Sequence, residues 1–92
     1  MRHTVDILTR DGRVVAEGSL VEYYITEDSL GFRSWAGRVL DRGHVLNASA
    51  LDDDPRPRVL RLSDGREGEA NFDPAFTEFQ GTGRPPHESR RP

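Results

Sequence analysis

The sequence predicts an all-β protein, a small and strongly bent antiparallel barrel of five to seven short strands with at most one short helical turn. Three observations carry that reading. Apolar residues alternate over short runs, as in Thr4–Thr9, Phe32–Leu40 and Arg58–Phe72. Asp-Gly-Arg occurs twice between such runs, at Asp11-Gly12-Arg13 and Asp64-Gly65-Arg66, where it marks the bend of a hairpin. Glycine-rich bends then recur at a spacing of about ten residues, as in small barrels.

The hairpin from Arg58 to Phe72 organises the chain. With Ser63-Asp64-Gly65 as its loop, Arg61 lies opposite Glu67 and Leu60 opposite Gly68, which separates charge from apolar surface. Gly65, and with it Gly12, should have positive φ. In the first hairpin, Thr4–Thr9 puts Val5 and Ile7 on one face and Asp6 on the other. A two-residue loop there would oppose Arg10 with Arg13 and Asp6 with Glu17, so a three-residue loop is preferred.

Val14–Ile25 is too long for one regular strand, and Gly18 in its middle reads as a bulge or sharp bend. Thr26–Ser29 is turn-like and Gly31 closes it. Phe32–Leu40 is the third strand, with Trp35, Gly37 and Val39 on one side. Asp41-Arg42-Gly43 reads as a tight turn, and the chain returns as a fourth strand from His44. Ala48–Pro57, with three consecutive acids and two prolines, is a loop long enough to cross a barrel end. Asp73-Pro74 begins a short turn that leads into a last strand over Ala75–Gln80, with Phe76 or Phe79 closing the core. Residues 1–80 therefore form one barrel domain. Residues 81–92, polar and rich in Pro and Arg, read as a dispensable tail with nothing large to bury.

Composition bounds the function. A 92-residue chain makes one domain that buries roughly 60–65% of its unfolded surface. Its apolar fraction of 34% against 32% charged leaves a thin core, which self-association would reinforce. With no cysteine, disulfides, thiolate metal sites and a cysteine nucleophile are excluded. The start lacks an apolar h-region and no run reaches a membrane span, so a cytoplasmic protein without a membrane partner is expected. All thirteen basic residues are arginine, but they are scattered, and the net charge is −3.

Chemistry-bearing patterns are few. His3, His44 and His87 have no acidic or histidine partner at metal-ligand spacing. Asp52-Asp53-Asp54 lacks the alternation of a calcium loop. Gly81-Thr82-Gly83 leads into prolines rather than a helix, so it cannot cradle a phosphate. The carboxylates of Glu27-Asp28 diverge. No enzyme, cofactor or metal is expected.

One segment stands out. Glu22–Trp35 holds four of the seven aromatics, Tyr23, Tyr24, Phe32 and Trp35, with Arg33 among them. Neighbours in a strand point to opposite faces, so one of Tyr23 and Tyr24 is available outside while the other packs inside. Tyr23, Tyr24, Phe32 and Arg33 are the candidate binding residues. The expected function is a small barrel that binds or assembles, with a protein partner or a second copy of itself. A single-strand nucleic-acid barrel is the alternative, and an enzyme with its site in the barrel mouth a third. The size is that of SH3-like and OB barrels, a likeness at the level of fold that carries no function.

Nucleic-acid affinity should be weak, because dispersed arginines in an acidic chain neutralise few phosphates together. Titration of labelled single-stranded DNA and RNA at physiological salt tests this. Sub-micromolar, salt-sensitive binding would rank the nucleic-acid reading first.

Overall fold

The computed structural model describes residues 1–46, 57–73 and 75–88. The described strands are β1 (Arg2–Leu8), β2 (Val14–Glu27), β3 (Arg33–Asp41), β4 (His44–Val45), β5 (Arg58–Leu62), β6 (Glu67–Phe72) and β7 (Glu78–Thr82), and a 3-10 turn follows at Pro86–Glu88. Six of the strands close a barrel in the order β1-β5-β6-β7-β3-β2, with β2 returning to β1, and β4 adds to the free side of β2. Every pairing is antiparallel. Two meanders, β1–β2–β3 and β5–β6–β7, meet along the β1–β5 and β3–β7 seams.

Three hairpin loops share one geometry. Thr9 N–H bonds Arg13 O at 2.9 Å and Gly12 N–H bonds Thr9 O at 3.0 Å. Leu62 and Arg66 repeat that pattern around Gly65, and Asp28 and Phe32 repeat it around Gly31. Each loop has three residues and ends on a glycine of positive φ: 94° at Gly12, 86° at Gly31 and 90° at Gly65. That is the turn plus left-handed glycine geometry expected of Asp-Gly hairpins. The register of the β5–β6 hairpin pairs Arg61 with Glu67 and Leu60 with Gly68.

Gly18 makes the predicted bulge. The β1–β2 register moves from Val5↔Ser19 to Ile7↔Ala16, which inserts one residue at Glu17-Gly18. Because of it, inward positions change parity along β2, from Ala16 to Ser19, Val21 and Tyr23, all buried. Asp41-Arg42-Gly43 is not the reversal its sequence suggested. Asp41 pairs with Leu20 and His44 with Glu17, so the chain keeps its direction along β2 and steps over the bulge. Gly43 lies against the backbone of Glu17 and Gly18, where no side chain fits. Turn chemistry and a close crossing both call for glycine, and only the pairing partner separates them. The loop expected over Ala48–Pro57, including Asp52-Asp53-Asp54, falls almost wholly outside the described residues.

Asp73 builds the β6–β7 turn. Its carboxylate accepts from Thr77 N–H at 2.7 Å, the Thr77 hydroxyl at 2.8 Å and Glu78 N–H at 3.1 Å. Those donors, the hydroxyl foremost, hold the Asp73 carboxyl below the ordinary carboxylate range. The last strand starts at Glu78, and Phe76 and Phe79 both reach the core.

The core is Val5, Ile7, Val21, Leu60, Leu62 and Ala70 around an aromatic centre. Trp35 meets Tyr23 and Phe79 edge-on, with centroids 5.4 and 5.9 Å away. A Cβ on Gly81 would land inside the Trp35 ring, and one on Gly37 would strike Glu22 O, Phe79 and Tyr23.

Residues 81–88 do not form the expected tail. Gly81 and Thr82 belong to β7, and Pro85 and Pro86 are buried, with Pro86 packed over Gly68. The expectation weighed only large apolar side chains, but the Pro86 ring covers the patch that Gly68 on β6 leaves bare. Residues 89–92 lie outside the described part.

Two glycine substitutions separate strain from crowding. Gly65→Val should cost about 1–2 kcal/mol through backbone strain alone, since nothing lies near its Cβ position. Gly81→Ala should cost about 3 kcal/mol or more, because the Trp35 ring must move within a packed core. Denaturant unfolding measures both, and a Gly81→Ala cost below that of Gly65→Val would contradict the packing described.

Candidate functional site

The register of β2 and β3 separates the four candidate binding residues. Tyr23 pairs with Gly37 and Ile25 with Trp35 on the inner face, and Glu27 pairs with Arg33 on the same side. Tyr24 pairs with Ala36 and Thr26 with Ser34 on the outer face. Tyr23 is fully buried and belongs to the core, so it leaves the candidate surface, whereas Tyr24 is 58% exposed. Arg33 turns away from Tyr24 and forms an ion pair with Glu88. Alternation made one tyrosine available; the neighbour that binds Arg33 lies 55 residues away and had no local signal.

The β2–β3 tip stands apart from the other two loops that share its backbone. At the middle of the loop and just after its glycine, the β1–β2 and β5–β6 loops carry an aspartate and an arginine. These form the ion pairs Asp11–Arg13 at 3.2 Å and Asp64–Arg66 at 2.7 Å. At the same two positions the β2–β3 loop carries Leu30 and Phe32, 80% and 71% exposed. The loop backbone is nevertheless held firmly. The Asp28 carboxylate accepts from Leu30 N–H and Phe32 N–H, each at 2.9 Å, in addition to the two backbone bonds of the turn. A hydrogen-bonded loop thus presents two large apolar side chains to solvent, beside the carboxylates of Glu27 and Asp28.

Below the tip, the outer face of β2, β3, β7 and β6 forms an open groove of about 710 Å³. Tyr24, Ala36, Gln80 and Asn71 make one row across the four strands. Arg2, Glu22, Arg38 and Glu78 make a second row of alternating charge across β1, β2, β3 and β7. Glu22 bonds Arg38 at 3.1 Å and lies 3.8 Å from Arg2, so the row largely satisfies itself. Solvent-exposed pairs of this kind contribute little stability each.

At the end of the barrel, the 3-10 turn forms a cap. The Tyr23 hydroxyl and His87 Nδ1 share a hydrogen bond of 2.6 Å, and His87 Nε2 lies 3.8 Å from the Glu88 carboxylate. Arg66 Nη1 donates to His87 O at 2.5 Å, and Glu88 holds Arg33. His3 stacks on Tyr23 at 5.2 Å and on His87 at 6.4 Å. Burial raises the Tyr23 phenol above its ordinary value. Burial, then the His87, N-terminal and Arg66 charges, lowers His3, against a weaker pull from Asp64. Tyrosine, histidine and carboxylate in series can relay a proton, but the phenol is sealed beneath the cap, and the geometry is that of a clasp. Sequence spacing missed it because His3 and His87 stand at opposite ends of the chain.

Among the described residues, no cluster of His, Asp or Glu is placed to hold a metal ion, and no helix is long and apolar enough to cross a membrane. No protein-family model, curated protein or solved structure matches the chain. What the structure itself defines is the class, a small closed antiparallel β-barrel with an ordered apolar hairpin tip and a C-terminal cap.

Two outcomes follow from the clasp. A chain ending at Gly83 should melt several degrees below one ending at Glu88, because it loses the Tyr23–His87 hydrogen bond and the Pro86 ring packed over Gly68, together about 1–3 kcal/mol, each kcal/mol shifting a domain this size by roughly 4–8 °C. Equal melting temperatures would mean that the turn adds nothing. For pH, the folded-state value of His3 lies below the ordinary 6.5, so the unfolded chain takes up its proton first as pH falls. Stability should therefore decline below that value, and His3→Gln should flatten the decline. Parallel pH curves for the two proteins would exclude His3 as its source.

Proposed function

We propose that this chain is a non-enzymatic binding module that docks a different protein through the β2–β3 hairpin tip. The observation that carries the reading is the contrast among the three like loops. Two neutralise their tips with an Asp–Arg pair, and the third exposes Leu30 and Phe32 on an equally ordered backbone. Apolar side chains on a loop whose backbone is already hydrogen-bonded bury surface on binding with little further backbone ordering cost, which is the economy of binding hot spots. Tyr24 extends the surface on the outer face of β2.

Charge selects the partner. Glu27 and Asp28 flank the tip, and its one arginine, Arg33, is bridged to Glu88. The complement is an apolar pocket bordered by Arg or Lys on the partner. A second copy fits less well, since the chain carries a net charge of −3. Closure of the barrel also reduces the need for a dimer to complete the core.

Phe32→Ala and Leu30→Ser, each compared with the wild type, test the reading by capture from the source cell and by light scattering. Phe32→Ala should weaken capture of a specific protein at least about tenfold, with the melting temperature unchanged and the protein monomeric throughout. Capture that is indifferent to both substitutions would remove the tip as the working element. A wild-type dimer that Phe32→Ala dissociates would make the second copy the partner instead.

A further inference from the structure

Beside the cap, a half-open cavity of about 200 Å³ lies between the root of the β2–β3 hairpin and the Gly83–Pro85 segment. Its apolar walls are Ile25, Trp35 and Pro85. Arg33, Ser34 and Arg84 supply the donors. Arg33 is already neutralised by Glu88. Arg84 is exposed at the cavity and has no ion-pair or hydrogen-bond partner among the described residues. The cavity therefore keeps one uncompensated guanidinium, in a chain whose overall charge is −3.

We propose that this cavity binds a small carboxylate, with the carboxyl group on Arg84 and a short apolar stem against Trp35 and Ile25. The site is independent of the docking surface at the hairpin tip. The planar fork of a guanidinium matches a carboxylate in geometry and in a single unit of charge. A phosphate dianion would meet the Glu88 carboxylate with one free cation to offset it, and would leave the apolar walls unfilled. Size limits the ligand as well. At about 30 Å³ per water, the cavity has room for an acid of roughly six to eight non-hydrogen atoms. A free acid and the C-terminal residue of a peptide present the same chemistry.

Trp35 is the only tryptophan in the chain, so its fluorescence and its single indole N–H resonance report on this wall. The full-length protein is titrated at constant ionic strength with butyrate, butyramide, inorganic phosphate, N-acetyl-alanyl-valine and the C-terminal amide of that peptide. Butyrate or the peptide acid should give a saturable change with a Kd of about 10 mM or tighter, while butyramide, the peptide amide and phosphate give none. Stronger binding of the peptide acid identifies a chain terminus as the source, and stronger binding of butyrate a free acid. Arg84→Gln should weaken the response at least tenfold and leave the melting temperature unchanged, because Arg84 has no ion-pair or hydrogen-bond partner among the described residues. The absence of any saturable change overturns the proposal. So does an equal response to butyramide or phosphate, or an undiminished response in Arg84→Gln.

Discussion

Trp35 is the constraint on which the barrel depends. Barrel diameter falls with strand number, so the interior of a six-stranded barrel is narrow, and an indole placed there needs bare backbone across from it. Gly81 on β7 provides that space directly against the ring, and Gly37 on β3 lets Phe79 and Tyr23 close in beside it. The β3–β7 seam, which joins the two meanders, runs through these contacts, with Gly37 paired to Phe79. Aromatic side chains bury large areas, and they let a chain with a modest apolar fraction complete a core.

Filling the barrel with aromatics has a consequence at its end. Tyr23 buries its ring beside Trp35, but its hydroxyl still needs a partner, as a buried phenol does. His87 supplies it from the C-terminal turn, and Pro86 covers Gly68 as that turn crosses β6. The cap is thus tied to the same aromatic centre that closes the barrel. Its edge, where Arg33 meets Glu88 and Arg84 is left over, forms the small cavity proposed as a carboxylate site.

The three hairpins show how one backbone solution serves different ends. A three-residue loop ending on left-handed glycine suits the twist of the strands and needs little from the other loop side chains. Those side chains are free to vary. Two loops use the freedom for a short-range Asp–Arg pair, and the third for Leu30 and Phe32. Among the described residues nothing covers these two side chains, which is why the tip is proposed as the docking surface.

The sequence by itself determined the barrel class, the Asp-Gly hairpins with their registers, the Gly18 bulge and the inward face of β3. All of these follow from interactions within about ten residues, where alternation, turn stereochemistry and opposed charges act directly. It also determined that only one of Tyr23 and Tyr24 could be exposed. The tertiary structure decided which one, because the bulge at Gly18 resets the parity of β2. It likewise turned Asp41-Arg42-Gly43 into a crossing, and it turned residues 85–88 from an apparent tail into a cap. In each case the deciding partner, β2 for Gly43, β6 for Pro86 and Tyr23 for His87, is distant along the chain. Contacts at that range leave no periodic or compositional trace, and only the closed barrel brings them together.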